Sequence, residues 1–412
     1  MPLGLTPAAD AAAEPVPDQA QFAAALQAID EDRLKTARSL LDGILSGNPS
    51  MHRARLELAR ADYLSMDYDS ARREAQRVLD DPNTPDTVRT TVLAFLAQID
   101  ADQKDFGVRH KWTPSIYLGM IYDTNVNVGP NRDVVDIGGT PFAIEKNHRD
   151  LGAVIEPGIE HTYNPDVRFQ WGEHTGYLLW QSSLNGYYRR YFDETDYNLG
   201  VATVRTGPVW VVPRHWRATI GLQGDQVWLG DGRLLFLTSL DPAINWQIGD
   251  TTELGLEGVL TRRTYNHDRD NVLEGWYKWL GGTAGQYFFG QKLAVKGGAG
   301  YFWFDTDDSA ERYANAGPDL FIGVVAQAWT NGSVYARVGY RNFDFKGHEP
   351  GFSNKRNDDE YRYMLGFAHN ISSGLLNHWV FSGDWTHTNN DSNIPIYDFD
   401  RDQFNLGLSR SF

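Results

Sequence analysis

The stretch WRATIGLQGDQVWLG, residues 216–230, alternates between apolar and polar side chains over most of its length. Successive side chains of a β-strand point to opposite faces, so this pattern predicts a long strand with one apolar and one polar face. The run is longer than the roughly five or six residues that are usual for strands of soluble proteins. The apolar face holds Trp216, Ala218, Ile220, Leu222 and Trp228, and the polar face holds Arg217, Thr219, Gln223 and Asp225.

The same alternation recurs from Trp112 to the end of the sequence, in about fourteen segments. Short turns such as NPD (164–166) alternate with long polar loops such as residues 123–150. Long two-faced strands with this turn pattern are typical of transmembrane β-barrels, whose closure leaves no unpaired edge in hydrocarbon. Residues 107–412 are therefore predicted to form an antiparallel outer-membrane barrel of about fourteen strands. Further alternating segments are TTELGLEGVL (251–260), SVYARVGY (333–340), EYRYMLGFAHNI (360–371) and HWVFSGDW (378–385).

An even number of strands brings both ends of the barrel to the same side of the membrane. We expect that side to be the periplasm, so that the short turns and the N-terminal domain lie there and the long loops lie at the cell surface. The alternative, a soluble all-β domain, is disfavoured by the length of the alternating runs.

Residues 19–106 follow the 3.6-residue period of α-helices instead. Ala37 and Ala71 lie 34 residues apart in two similar helical segments. This spacing, with small residues at packing positions, is typical of tetratricopeptide repeats. A short tetratricopeptide-like helical domain is thus predicted to precede the barrel. One apolar stripe of this domain contains Val88, Val92, Phe95 and Ile99.

Residues 1–18 are rich in Ala and Pro and contain neither the basic part nor the apolar part of a signal peptide. They are predicted to be a flexible leader. If the protein is exported, we expect its signal peptide to be missing from this sequence.

Composition excludes several functions. The net charge of −16 argues against a nucleic-acid partner, and the absence of cysteine excludes disulfides and thiolate metal sites. The histidines are scattered and no catalytic or nucleotide-binding motif is present, so neither an enzyme, a cofactor nor a metal site is predicted. Acidic runs such as RNDDE (356–360) and YDFDRD (397–402) offer carboxylates to calcium, but solvated or lipopolysaccharide-facing loops are favoured.

One face of the helical domain is a candidate binding surface. Arg53, Arg60 and Tyr63 recur at i, i+7 and i+10, where the first helix of such a repeat lines the concave surface. We expect a client protein to bind there. The alternative, that these side chains are merely solvated, stays open.

The polar face of the barrel strands is predicted to line a hydrated lumen. Charges of both signs occur on it, so no simple anion or cation selectivity follows. Such mixed charges also brace a barrel wall. The candidate lumen residues are Arg189, Arg205, Arg217, Glu253, Glu257, Arg337 and Arg362.

The first strand, WTPSIYLGMIY (112–122), must pair with the last, QFNLGLSRSF (403–412), to close the barrel. Proline donates no ladder hydrogen bond and glycine weakens a strand, so this seam is predicted to open sideways more easily than its neighbours. The alternative is that the proline simply starts the strand. The final aromatic residue resembles the signal by which the barrel-assembly machinery recognises its substrates. The candidate seam residues are Pro114, Tyr117, Gly119, Phe404, Leu408 and Phe412.

Several local motifs together suggest a family. The predicted helical domain contains RLELA (55–59) and DYDSA (67–71). The predicted barrel that follows contains YDTNVN (122–127). In this respect the chain resembles the Slam family, the surface lipoprotein assembly modulators. Members of that family join a periplasmic repeat domain to a 14-stranded outer-membrane barrel.

The resemblance implies a translocon of the type XI secretion system in a Gram-negative bacterium. Its client would be a surface lipoprotein or a small secreted haem- or metal-binding protein that carries a small C-terminal barrel domain. Implied further partners are a periplasmic chaperone, outer-membrane lipid and lipopolysaccharide. The alternatives left open are an outer-membrane channel or exopolysaccharide exporter, and a surface receptor or host-association factor.

Overall fold

The structure of the chain is a computed structural model that describes residues 16–82, 84–137, 139–307 and 311–412. The chain divides into two compact units. The first contains the described residues up to Arg109 together with residues 166–177. The second contains residues 110–165 and 178–412.

The first unit contains α-helices that pack consecutively on one another. The first of them begins at Val16, inside the leader expected over residues 1–18, and the rest of that leader lies outside the described residues. Among the helices of the described residues, none combines the length and the apolar character needed to cross a membrane. The helices are α1 (Val16–Asp30), α2 (Leu34–Gly47), α3 (His52–Leu64), α4 (Tyr68–Asp80) and α5 (Asp86–Phe106).

Small and apolar side chains form the core of this first unit. Ala37 of α2 and Ala71 of α4 are both fully buried, and their short side chains let neighbouring helices approach closely. Val92 and Ile99 of α5 are also buried, as the apolar stripe indicates. At the start of α4, the Asp67 carboxylate accepts a hydrogen bond from a backbone N–H of the first turn, as helix N-caps do.

Residues 166–177 belong to the first unit and contact it through polar groups. The Glu173 carboxylate accepts hydrogen bonds from the hydroxyl of Thr36 at 2.8 Å and from its backbone N–H at 2.9 Å. These hydrogen bonds, at the N-terminal turn of α2, hold the pKa of Glu173 below its usual range. Arg168 Nη1 lies 2.9 Å from the Asp67 carboxylate.

The second unit is a closed antiparallel barrel in which each strand pairs with its neighbours in sequence and β1 closes on β16. This confirms the predicted fold class, helices followed by a 14-stranded barrel. The strands are β1 (His110–Asp123), β4 (Asp150–Trp171), β5 (His174–Tyr191), β6 (Leu199–Val212), β7 (Trp216–Leu229), β8 (Gly232–Ile248), β9 (Thr252–Tyr265), β10 (Gly275–Phe288), β11 (Leu293–Thr306), β12 (Asn315–Trp329), β13 (Gly332–His348), β14 (Lys355–Asn370), β15 (Val380–Ser392) and β16 (Phe399–Ser411).

A separate two-stranded sheet, β2 (Val134–Ile137) and β3 (Thr140–Ala143), lies within the loop between β1 and β4. The sequence pattern does not indicate it, because four residues are too few to establish an alternation.

The register assigns each strand residue to one face of the barrel wall. In β7, the apolar residues Ile220 and Leu222 are exposed, as expected for side chains on the outer surface. Arg205 of β6 and Asp241 of β8 contact each other across β7. Contacts of this kind, over an intervening strand, are made on the inner, polar face. The exposed apolar side is called outward, and the polar side is called inward.

Candidate functional site

The candidate site is the seam, the pairing of β1 with β16 that closes the barrel. On its other side, β1 pairs with β4 over its whole length, from His110 to Asp123. Its pairing with β16 begins only at Ser115, which lies opposite Ser411. We call the end of the barrel where β1 begins and β16 ends the terminal end, and the opposite end the loop end.

The loop end of the seam is held by a buried carboxylate. Asp123 is fully buried, and Arg401 donates to it from Nε at 3.0 Å and from Nη2 at 2.5 Å. Gln403 Nε2 donates at 2.9 Å, the Tyr191 hydroxyl at 2.6 Å and the backbone N–H of Asn125 at 3.0 Å. We call these five residues the latch. Because every oxygen of the carboxylate is bonded, loss of one charged partner costs about 3–5 kcal/mol.

The loop that follows β1 extends this network. The amide of Asn125 donates to the Gly129 carbonyl at 2.8 Å and to the Asp400 carbonyl at 3.0 Å, and its oxygen accepts from the Gly129 N–H at 2.8 Å. Asn131 Nδ2 donates to the carboxylates of Asp398 at 3.1 Å and Asp400 at 3.0 Å. The loop after β1 is therefore bonded directly to the first residues of β16 and the loop before it.

The terminal end of the seam has no comparable network. The backbone N–H of Phe412 donates to the Pro114 carbonyl at 2.9 Å. Among the described residues, no side-chain hydrogen bond or ion pair joins residues 114–119 to residues 407–412. The Arg410 guanidinium lies over the Phe412 ring, 4.7 Å from its centroid, and its buried Nε has no partner in this part of the chain.

The middle of the seam is formed by two glycines and one aromatic ring. Gly119 and Gly407 lie opposite each other, and the Tyr117 ring fills the space in front of both. A side chain at either glycine would meet that ring, so both positions require glycine for this packing.

A cavity of about 330 Å³ lies beside the terminal end of the seam. Its lining consists mainly of inward side chains from β1, β4, β5 and β16. The carboxylate of Glu156 has no ion-pair partner among the described residues. The lining includes Ser115, Tyr117, Glu156, Asn185, Tyr187, Ser409 and Arg410.

The predicted seam residues lie on both faces of these strands. Tyr117 points inward to the cavity, and Pro114 accepts the last backbone hydrogen bond of the seam. Phe404 and Leu408 are paired with Tyr122 and Leu118 on the outward face. Phe404 and Phe412 are both exposed there, as apolar side chains that face lipid would be.

Two of the predicted lumen residues contact side chains of other strands in the barrel wall. Arg205 pairs with Asp241, and the absence of a side chain at Gly221 of β7 leaves room for that pair. Arg217 Nη2 donates to Gln181 Oε1 at 2.5 Å. These two contacts each span an intervening strand, so they brace the wall from inside.

The remaining predicted lumen residues also have local partners. Glu253 accepts from the Tyr287 hydroxyl at 3.2 Å, and Arg362 Nη2 donates to Glu360 at 3.1 Å. Glu257 lies opposite Gly281 of β10. The guanidinium of Arg337 stacks on Phe321 at 4.0 Å and that of Arg189 on Tyr191 at 4.7 Å. The inner wall thus carries charges of both signs, several of which contact an opposite charge or an aromatic ring.

The candidate binding face of α3 is partly engaged in packing. The Tyr63 hydroxyl donates to Asp102 at 2.5 Å, and burial, together with this hydrogen bond, raises the pKa of Tyr63 to about 12. Arg53 lies over the Phe22 ring at 5.0 Å. Arg60 is half exposed and lies 3.4 Å from Glu57, and Arg53 is exposed as well.

Sequence patterns did not identify the latch. The run YDFDRD (397–402) resembles a solvated loop, yet Arg401 within it pairs with Asp123, and the neighbouring carboxylates of Asp400 and Asp402 accept hydrogen bonds from Asn131 and His387. The signal that the sequence offered was the polar run DTN (123–125), which follows the apolar residues of β1. That this run bonds to β16 cannot be read from the sequence, because the two segments meet only in the closed barrel.

The chain was compared with known proteins. The family model described as "Outer membrane protein beta-barrel domain" matches residues 238–412. No curated protein matches the chain. The family match and the closed barrel support a location in the bacterial outer membrane.

Several solved structures are similar to the barrel at low sequence identity. An anion-selective porin from Comamonas acidovorans is 10% identical, with 74% of this chain and 99% of that chain covered and a TM-score of 0.42. OmpT, an outer membrane protein of Vibrio cholerae, is 7% identical, with 74% and 97% covered and a TM-score of 0.43. The outer membrane protein OprD from Pseudomonas aeruginosa is 10% identical, with 73% and 94% covered and a TM-score of 0.39.

Proposed function

We propose that this protein is an outer-membrane translocon that assists the export or surface display of a specific small client protein. The observation that carries this proposal is the unequal seam. The latch fixes its loop end with charged and buried side chains, whereas among the described residues its terminal end is held by backbone pairing and apolar packing, with no side-chain hydrogen bond or ion pair. A barrel that serves only as a rigid pore has no need of such a difference.

The motif behind the family resemblance also supports the proposal. YDTNVN (122–127) supplies Asp123 and Asn125, which bond β1 to β16. The motif therefore has a structural role at the strand junction. In the proposed translocon, a client would contact the barrel at that junction, so no wide open pore would be needed.

The inner wall is less suited to a wide, selective channel. Its charges are of both signs and several are paired across strands, as for Arg205 with Asp241 and Arg341 with Asp319. Selective pores instead present rings of one sign to the permeating ion. Since the sequence contains no nucleotide-binding motif, transport would draw on client folding or partner binding.

The first unit would receive the client or a periplasmic chaperone. Helical repeats bind extended or helical segments on their concave surfaces. Arg60 of α3 offers an exposed charge for such a contact. The client that the resemblance implies has a small C-terminal barrel domain.

The test is reconstitution of export in a heterologous Gram-negative host. The full chain, with a signal peptide, is co-expressed with an exported protein that is encoded beside it and carries a C-terminal barrel domain. Surface exposure of that protein is scored by protease accessibility in intact cells. Exposure that depends on the chain is expected, and Asp123→Asn, scored relative to the amount of barrel assembled in the outer membrane, serves as the variant with a weakened latch.

Two further experimental outcomes would favour one of the alternative functions. A large, steady conductance in planar bilayers, together with no chain-dependent exposure, would favour a channel or exporter. Deletion of residues 134–143, which contain β2 and β3, tests the receptor alternative. Unchanged export with lost binding to host cells would favour a receptor.

A further inference from the structure

We propose that the edge of β1 over residues 115–119, freed when β16 moves away at the terminal end, is a docking edge for an extended strand of an exported polypeptide. This inference rests on the proposed translocon function and names the site and the chemistry of its occupant. The occupant adds to β1 by backbone hydrogen bonds, as in β-augmentation.

The first step concerns which end of the seam separates. At the loop end, separation breaks the Arg401–Asp123 ion pair and the hydrogen bonds from Gln403 and Tyr191. At the terminal end, it breaks ladder hydrogen bonds and the contact of the Tyr117 ring with Gly407, but no side-chain hydrogen bond or ion pair crosses there among the described residues. The seam therefore opens from the terminal end and pivots at the latch.

The second step concerns what β16 leaves behind. The inward side chains of β16 at this end are small: Gly407, Ser409 and Ser411. Their withdrawal uncovers one face of the Tyr117 ring, which packs on Gly407, but removes no large side chain from the inner wall. It exposes the backbone donors and acceptors of β1, and an unpaired strand edge is a ready template for another strand.

The third step concerns the side chains of the incoming strand. The cavity of about 330 Å³ lies directly behind this edge. An antiparallel strand in the register of β16 places one inward side chain opposite Tyr117, where Ser409 now lies. Glu156, which pairs with Tyr117 from the β4 side, faces the same cavity and has no ion-pair partner among the described residues, although Arg410 also lines the cavity. The site thus favours a strand with Lys or Arg at that position.

The opening is tested first without any client. The chain has no native cysteine, so spin labels can be placed on pairs of outward residues. Ile116→Cys with Arg410→Cys reports the terminal end, and Tyr122→Cys with Phe404→Cys reports the loop end, since each pair lies in register. In lipid nanodiscs we expect weakened dipolar coupling in a fraction of molecules for the first pair only. Equal, strong coupling in both pairs would overturn the proposal.

The docking edge is tested with a probe of known register. The probe is a fluorescent synthetic peptide, QFNLGLSRSF, the sequence of residues 403–412. It should bind the reconstituted full chain saturably, and a peptide with proline in place of Leu408 should not. A disulfide between Ser115→Cys and Ser411→Cys should abolish binding until it is reduced. The matched control disulfide, between Ile121→Cys and Asn405→Cys at the loop end, should leave binding unchanged.

The charge preference is tested by a double-mutant cycle. A peptide with Lys in place of Ser409 should bind about fivefold more tightly than one with Gln there, the gain expected from one hydrated ion pair. Glu156→Gln in the protein should remove this difference. The proposed docking site is wrong if both disulfides have the same effect on peptide binding, or if the preference for lysine persists in Glu156→Gln. These readouts need no export, so failure of the translocon function would be seen separately.

Discussion

The guanidinium of Arg401 lies against the buried carboxylate of Asp123, 278 residues away in the chain, with Nη2 2.5 Å from Oδ2. Asp123 ends the first barrel strand and Arg401 lies in the last. The pair therefore forms only when the barrel closes. It links the first and the last strand directly at the loop end of the seam.

Asp123→Asn is expected to lower the free energy of unfolding by about 3–5 kcal/mol, because Arg401 is left buried without its counter-charge. Urea unfolding in lipid vesicles measures this loss. The variant should also weaken the dipolar coupling between labels at Tyr122→Cys and Phe404→Cys. Asp241→Asn, which removes the partner of Arg205 away from the seam, should destabilise the barrel without changing that coupling. Equal coupling in both variants would show that the latch does not hold the loop end.

Gly221→Ala is expected to destabilise the barrel by about 1–3 kcal/mol, the range for overpacking. A methyl group there meets the side chains of Arg205 and Asp241 where they pair. Arg205→Met in the same background should recover part of the loss, because the pair is no longer crowded. The matched control is Gly297→Ala, whose nearest neighbour, the Phe321 carbonyl oxygen, is at an ordinary 3.5 Å. A similar loss in both variants would contradict a bracing pair over β7.

Arg60→Ala is expected to reduce crosslinking of the client to the first unit while leaving stability within about 0.5 kcal/mol, since exposed ion pairs contribute little. Arg77→Ala is a matched control. Like Arg60, Arg77 is exposed and pairs with a glutamate three residues earlier, in this case Glu74 at 2.7 Å. Equal crosslinking by both variants would mean that the face of α3 does not receive the client.

The main features of the fold could be predicted from side-chain periodicity. The alternation in residues 216–230 predicts β7, and the structure places that strand at Trp216–Leu229. The reason is physical: a two-faced wall imposes a period of two on every strand, so each strand carries the signal locally. The charges on the polar face were predicted to be mixed, and the structure pairs Arg205 with Asp241.

The latch could not be predicted in the same way. Asp123, Tyr191 and Arg401 come from β1, β5 and β16, and no local period connects them. Each is an isolated polar or aromatic residue near a strand end, where solvated loops have the same composition. Their convergence depends on barrel closure and on the stagger between strands, which are properties of the whole sheet.

The pH dependence of the first unit follows from Asp62 of α3. Arg38 Nε lies 2.7 Å from Asp62 Oδ1, but in a direction that makes no hydrogen bond, so burial outweighs the attraction and raises the pKa of Asp62 to about 7. The unfolded chain has the usual aspartate pKa of about 4. Between these values the folded state binds the proton more tightly, so stability falls as pH rises from about 4 to about 7 and is then constant.

Asp62→Asn is expected to remove this slope, because an amide does not titrate. Hydrogen exchange of the α3 amides in the full-length protein, corrected for the intrinsic rate, measures protection at pH 5 and pH 7.5, on either side of about 7. Native protection should fall between these values by up to a few kcal/mol, whereas the variant should change little. Asp80→Asn on α4, an exposed carboxyl, is the control and should keep the native slope. The same slope in the protein and in Asp62→Asn would mean that Arg38 keeps the carboxylate ionised despite its burial.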